Sequence, residues 1–282
     1  MPIRFVNLKG RAGLQFGDRV ADVETVSGAR FPSDPMAVLQ RWEEFLPWAT
    51  TVPASDATLA LDEAELGAPV PRPWKVFGVG MNYREHAKEA GLEIPGAPVI
   101  FTKFPNCICG PRAAVELSSP FVDWEVELVV VIGRGGRRIP EAKAFEHIAG
   151  YTAGQDISDR KIQFTDMPPQ FSMGKSIDSF GPTGPALVST DAFANPNDLS
   201  LTCDVGGERM QEARTSDMIF SVAELVAFLS KSCTLAAGDL IFTGTPAGVG
   251  STRNPRRYLQ AGEEIVSTIE TIGTLRNRCV AD

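Results

Sequence analysis

Asp123-Trp124-Glu125-Val126-Glu127-Leu128-Val129-Val130-Val131-Ile132-Gly133 is the stretch on which the reading of this chain turns. Its second half is an apolar run closed by glycine and reads as a buried strand. Its first half carries an acid at every second position. Side chains alternate along a strand, so Asp123, Glu125 and Glu127 are expected on one face, with Trp124, Val126 and Leu128 on the other. Three carboxylates carried toward a core repel one another unless a cation sits among them or they keep their protons. Oxygen donors in that number suit a hard divalent cation, Mg²⁺ or Mn²⁺ in preference to Zn²⁺, with Ca²⁺ also compatible. The alternative is a solvated face on an edge strand.

The rest of the chain sets the frame for that strand. Its 282 residues, 43% apolar and 22% charged, suffice for one large domain or a main domain with a small companion. The net charge of −8, with no Lys/Arg run longer than a pair, argues against a nucleic-acid surface. An anionic substrate on so acidic a protein needs local Arg, Lys or metal to hold it. The cysteines Cys107, Cys109, Cys203, Cys233 and Cys279 are odd in number and form no C-x-x-C pair. That speaks against a disulfide framework or a zinc site and fits a reducing compartment. No signal-peptide core and no membrane-spanning apolar run is visible, so the expectation is a soluble cytoplasmic protein without a membrane partner.

Residues 3–8, 13–17 and 20–23 read as a small antiparallel meander. Met36, Leu39, Trp42, Phe45 and Leu46 have helical spacing, with Asp34 as cap, Pro35 at the first position and Pro47 as terminator. The Pro/Ala-rich residues 51–73 read as a connector, which places a boundary near residue 70. Strands are expected at Trp74–Val79, Val99–Lys103 and Ala113–Leu117. A short helix is expected after Asn82, capped by Asn82 with Glu85 and ended by Gly91. On it His86 and Glu89 are three apart and share a face, an arrangement that suits a general base. A chance surface pair is the alternative.

Glu141–Ile148 is expected to be a helix carrying an ordinary surface His147. Gly150–Ala153 forms a strand that delivers Asp156. Asp156, Arg160 and Gln163 fall at i, i+4 and i+7, so one helical face would present an acid, a cation and an amide. Residues 168–185 read as a long Pro/Gly-rich loop whose only lysine, Lys175, is either a solvated cation or an ammonium aimed at a developing oxyanion. A hairpin is expected about Gly206-Gly207, a helix opened by the capping box Ser221–Glu224, and a strand Leu240–Thr243. That strand ends in Gly244-Thr245-Pro246-Ala247-Gly248-Val249-Gly250. This loop lacks the lysine of a phosphate-binding P-loop, yet its N–H groups and the Thr245 hydroxyl suit a carboxylate. Glu263–Thr271 and Gly273–Cys279 read as a last hairpin.

Taken in order, Gly80-Met-Asn-Tyr-Arg-Glu-His86, Asp123-Trp-Glu125-Val-Glu127-Leu, Gly150-Tyr-Thr-Ala-Gly-Gln-Asp156, Gly174-Lys175-Ser-Ile-Asp178 and Thr243-Gly-Thr245-Pro-Ala-Gly-Val-Gly250 resemble the fumarylacetoacetate hydrolase family over about residues 70–282. The resemblance implies an α+β, mostly β fold: a mixed β-roll, sandwich-like catalytic domain at 71–282, with a small α+β domain at 1–70. It implies a homodimer and a divalent metal held by Glu125, Glu127 and Asp156. Asp123 matches no ligand, and Met81-Asn82 stand where some members supply a further carboxylate, so water or substrate would complete the shell. His86 and Glu89 match the pair that activates water. Lys175 matches the lysine near the substrate's oxygens, Arg160 and Gln163 match substrate-side polar groups, and Thr245 matches the contact to a 2-oxo acid's carboxylate.

The activity so implied is metal-dependent hydrolysis of a carbon–carbon bond in an acylpyruvate-like β-diketo acid, as in aromatic catabolism. Alternatives on the same site are decarboxylation of an oxaloacetate-like acid, isomerisation of a 2-hydroxy-dienoate and hydrolysis of a diketo sugar acid. A metal-binding regulatory protein is the non-enzymatic alternative, against which the presence of His86, Glu89 and Lys175 speaks.

Overall fold

The computed structural model describes residues 2–281. Strands β1 (Arg4–Leu8), β2 (Arg11–Phe16) and β3 (Arg19–Asp22) form the expected meander. After a one-turn helix, α1 (Val23–Val26), the single helix expected across Met36 to Leu46 is in fact two, α2 (Pro35–Leu39) and α3 (Trp42–Ala49). Asp34 caps α2 through the Met36 N–H (3.1 Å). Pro47 lies inside α3 instead of ending it. Edge-on packing of Phe5 against Trp42 and Phe45 (centroids 5.9 and 5.7 Å) outweighs the one ladder bond that proline forfeits. Short strands β4 (Leu59–Ala60) and β5 (Leu66–Gly67) pin the connector to β3 and β1.

β6 (Val76–Gly80), α4 (Arg84–Glu89), β7 (Val99–Lys103), β8 (Ile108–Cys109) and β9 (Val115–Leu117) follow. The acidic stretch is two strands, β10 (Val122–Asp123) and β11 (Val126–Ile132), not the single one expected. Asp123 accepts the N–H of Trp124 (2.9 Å), which turns the chain at Trp124-Glu125. A 3₁₀ segment, Glu141–His147, replaces the expected α-helix; its Lys143 N–H bonds back three residues to Pro140. β12 (Ile148–Gln155) and β13 (Ser158–Asp159) lead to α5 (Arg160–Gln163) and α6 (Phe171–Gly174). The loop expected at 168–185 is therefore shorter, holding α6 and the start of β14 (Gly181–Ser189). β15 (Ser200–Val205) and β16 (Glu208–Arg214) form the hairpin about Gly206-Gly207. Next come α7 (Val222–Ser232), opened by its capping box, then β17 (Leu240–Phe242), β18 (Glu264–Ile269) and β19 (Gly273–Ala281).

One 12-stranded sheet runs β4-β3-β2-β1-β14-β12-β11-β17-β6-β7, with β5 and β8 attached at β1 and β14. A five-stranded sheet runs β16-β15-β18-β19-β9, and both sheets are open. Pairing of β1 with β14 puts the N-terminal strands in the same sheet as those that carry the site. β11 is buried on both faces. Val129 and Val131 join Phe5, Trp42 and Phe45, whereas Val126, Leu128 and Val130 join Leu201, Cys203 and Leu275 of the second sheet. Double burial explains why its apolar run is continuous and not alternating. The fold is α+β, dominated by strands, with β11 between the two cores. Among the described residues no helix is long and apolar enough to cross a membrane.

Candidate active site

The β11–β12 register sets Val126 opposite Gln155 and Glu127 opposite Gly154. The next residue, Asp156, therefore comes level with Glu125, and its N–H donates to the Glu125 carbonyl (2.9 Å). Gln155 locks the turn by accepting the Glu125 N–H (2.9 Å). One carboxylate oxygen each from Glu125, Glu127 and Asp156 lies within 4.8 Å of the others, and all three residues are buried. Asp123 is outside this group. It accepts N–H groups from Gly250 (2.7 Å) and Ser251 (2.9 Å) and the Nε of Arg160 (2.9 Å).

The helical face expected for Asp156, Arg160 and Gln163 does not form, because α5 begins only at Arg160. Arg160 turns instead to Asp123 and, through Nη2, to Glu125 (2.6 Å); its Nη1 donates to Gln163 (2.9 Å). Asp156 is served by lysines. The Lys175 Nζ donates to Glu125 (2.9 Å), Asp156 (2.7 Å) and Ser158 (2.7 Å), so it is a buried ammonium and not a solvated loop cation. Lys103, which the sequence reading missed, donates its Nζ to Asp156 (2.7 Å), the Phe180 carbonyl (3.1 Å) and the Lys175 carbonyl. The available signal was a lysine closing the apolar strand Val99–Lys103.

These charges are unevenly matched. Burial raises the Glu127 carboxyl well above its ordinary range, and repulsion from Asp156 and Glu125 adds to this; Lys175 and then the Gly244 N–H (2.8 Å) oppose it without cancelling it. Burial works against an ionised Glu125 too, but Lys175 and Arg160, with His86, hold it below the ordinary value. Burial opposes the charge on Lys103 and Asp156 outweighs it, so Lys103 stays protonated. Four buried carboxylates (Asp123, Glu125, Glu127, Asp156) thus face three buried cations (Lys103, Arg160, Lys175). The surplus is negative and centred on Glu127. Three clustered carboxylates with acceptor capacity left over fit one divalent cation, which would turn the local surplus positive.

A pH dependence follows. A carboxyl with a raised folded pKa contributes stability that is complete below its ordinary value of about 4.3 and lost as pH rises through the folded value. The metal-free protein is therefore expected to lose this contribution as pH climbs, and an ion that takes the place of the Glu127 proton restores it. The rise in Tm on adding Mn²⁺ is expected to be larger at pH 8 than at pH 5.5. Melting curves at the two pH values check this; an equal rise at both would contradict it.

The expected His86–Glu89 contact forms on α4. His86 Nδ1 meets Glu89 at 2.7 Å, and both Glu89 oxygens take the Gly248 N–H (3.1 and 3.0 Å). The cap expected of Asn82 is not made. Tyr83 occupies the N-cap of α4, and Asn82 is buried, donating to the carbonyls of Thr243 (2.7 Å) and Phe220 (3.1 Å). Those two long-range bonds anchor the approach to α4, and Gly91 ends it at φ +68°. Thr245 donates to the Val126 carbonyl (3.0 Å) and accepts from Gln211 (2.8 Å). The His147 ring bonds the Arg134 carbonyl (2.9 Å), and its own carbonyl accepts the Gly133 N–H (2.9 Å), a structural role in a turn. A cavity of about 820 Å³ opens outside Arg160, walled by Phe121, Lys161, Phe164, Ser251, Arg256 and Tyr258.

Residues 75–280 match the family described as Fumarylacetoacetate (FAA) hydrolase C-terminal. The chain is similar to Oxaloacetate tautomerase FAHD2A, mitochondrial, of Homo sapiens: 44% identity over 224 residues, 79% of this chain and 71% of the relative. It is similar to the solved fumarylacetoacetate hydrolase (EaFAH) from psychrophilic Exiguobacterium antarcticum, with 34% identity, a TM-score of 0.87 and 100% of each chain covered. It is also similar to maleylpyruvate hydrolase from Sphingobium sp. SYK-6, solved in complex with manganese(II) ion and pyruvate, with 26% identity, a TM-score of 0.79 and 99% of each chain covered. The family match over residues 75–280 and these likenesses show that the chain belongs to the fumarylacetoacetate hydrolase family.

Proposed function

We propose that the protein catalyses proton transfer on an enolisable 2-oxo acid, interconverting the keto and enol forms of an oxaloacetate-like substrate. The observation that carries this is the His86–Glu89 pair (2.7 Å) within electrostatic reach of Glu125. Similarity to an oxaloacetate tautomerase at 44% identity supports it. Glu125, Glu127 and Asp156 would hold Mg²⁺ or Mn²⁺, which supplies Lewis-acid polarisation of the substrate's 2-oxo acid oxygens. Glu89 takes the Nδ1 side of His86 and leaves Nε2 to accept a proton from the carbon next to the 2-oxo group. The electron pair left behind moves onto the oxo oxygen, and His86 returns the proton there. Lys175 keeps positive charge beside that oxygen, and Arg160 and Gln163 receive the substrate's carboxylate. Thr245 shares that last role by exchanging its bond to Val126.

The second reading is hydrolysis of a carbon–carbon bond in an acylpyruvate. The maleylpyruvate hydrolase solved with manganese and pyruvate supports it, as does room for an acyl arm in the 820 Å³ cavity. Here His86 takes its proton from water, the hydroxide attacks the distal carbonyl, and the bond's electron pair leaves with the pyruvate fragment, which is then protonated. A homodimer is proposed on the same family ground.

An ultraviolet assay separates the readings. With Mn²⁺ present, the enol of oxaloacetate is expected to decay at an enzyme-dependent rate, with no pyruvate released. Release of pyruvate and acetate from acetylpyruvate would transfer the assignment to the hydrolase. Turnover of neither, with metal bound, would contradict both.

A further inference from the structure

We propose that the turn from Gly248 to Ser251 couples substrate capture at Arg160 to the seating of the His86–Glu89 pair, and that Asp123 is the positioning residue that transmits it. The proposal rests on the reading above, in which Arg160 binds substrate and His86 moves the proton. Within four consecutive residues the turn donates its backbone to two carboxylates with different tasks. Gly248 N–H holds Glu89, while Gly250 and Ser251 N–H hold Asp123 (2.7 and 2.9 Å). Asp123 is fully buried and its remaining partners are its neighbour's N–H and Arg160.

Arg160 has five N–H protons. Nε and Nη2 reach Asp123, Nη2 also reaches Glu125, and one Nη1 proton goes to Gln163. The second Nη1 proton is left for an oxygen arriving from the cavity that Arg160 lines. A pull on the guanidinium is thereby a pull on Asp123.

The turn is stiff enough to pass it on. Gly248 sits at φ +106°, where an added Cβ would lie 2.1 Å from the Met210 carbonyl oxygen, and a Cβ on Gly250 would lie 1.9 Å from that of Arg257. The Trp124 indole donates to the Gly248 carbonyl (3.2 Å), and Arg253 ties the turn to Met210 (2.9 Å). A backbone packed this closely moves as one piece and carries Glu89 with it.

The test is a double-substitution cycle with an exchange measurement beside it. Asp123→Asn is expected to raise KM and to lower kcat about tenfold each. In a Glu89→Gln background the KM effect persists, while the further loss in kcat shrinks to about twofold or less, because the link to the base is already cut. A full tenfold loss of kcat in both backgrounds would overturn the coupling. Hydrogen exchange needs no turnover. Amides of Arg84–Glu89 are expected to exchange faster in Asp123→Asn, and by reciprocity those of Gly250 and Ser251 faster in Glu89→Gln, which keeps its fold even should the buried variant not. Unchanged exchange at Gly250 and Ser251 in Glu89→Gln would overturn the proposal. If the wild type turns over no 2-oxo acid, the functional reading fails, and the exchange result still decides the coupling.

Discussion

Replacing His86 with alanine is expected to lower kcat by about 10²–10⁴-fold, the range for losing a positioned acid–base group, with divalent-metal affinity unchanged. The imidazole makes one hydrogen bond, to Glu89, and none to the three carboxylates that converge. Its loss therefore removes the proposed proton carrier and leaves the three-carboxylate cluster whole. Glu89→Gln is expected to do less, because the imidazole remains while the carboxylate charge that steadies it and the two-oxygen hold on the Gly248 N–H are lost. Steady-state kinetics with Mn²⁺ titration of each variant check this. An unchanged kcat in His86→Ala would remove the residue from the mechanism, and a lost metal affinity would make its role structural.

The second large effect concerns stability. Lys103→Met is expected to destabilise the protein by about 3 kcal/mol, the low end for removing one partner of a buried ion pair. Lys103 is fully buried, and its ammonium serves Asp156 and two backbone carbonyls. Methionine fills the volume but leaves one Asp156 oxygen and the Lys175 carbonyl without their ammonium donor, while the Phe180 carbonyl keeps the Ile157 N–H (3.1 Å). The low end applies because Lys175 still holds the other Asp156 oxygen (2.7 Å). For a chain of this size Tm is expected to fall by about 6–12 °C. Lys88→Ala is the control. Its pair with Glu85 is exposed at both ends (77% and 72%), and such pairs contribute little. A Lys103→Met melt within 1–2 °C of wild type, the scale of a surface substitution, would show the buried network to be dispensable.

Parts of the site that follow from periodicity were legible in the sequence. Glu125 and Glu127 alternate ahead of an apolar run, and a second apolar strand delivers Asp156 beside them through the β11–β12 register. His86 and Glu89 meet because three residues on a helix make one neighbourly step. Where local pattern competed with distant partners, the distant partners won. Asn82 has the spacing of a helix cap, yet its amide is taken by Thr243 and Phe220, more than a hundred residues away. Asp123 alternates with the two glutamates, yet Gly250, Ser251 and Arg160 draw it off their face. Lys103 looks like a strand-ending surface lysine until residues 156, 175 and 180 close over it. Pro47 should end a helix by its own chemistry and is overruled by the aromatic cluster around Phe45.

The claim on which the mechanism stands is that Glu125, Glu127 and Asp156 share one divalent ion. Anomalous diffraction from crystals grown with Mn²⁺ and pyruvate tests it most directly. One strong manganese peak is expected, bonded to an oxygen of each of the three carboxylates, with pyruvate oxygens completing its shell. A map with no peak among them, and with the Lys175 ammonium alone bridging Glu125 and Asp156 as it does here, would contradict it.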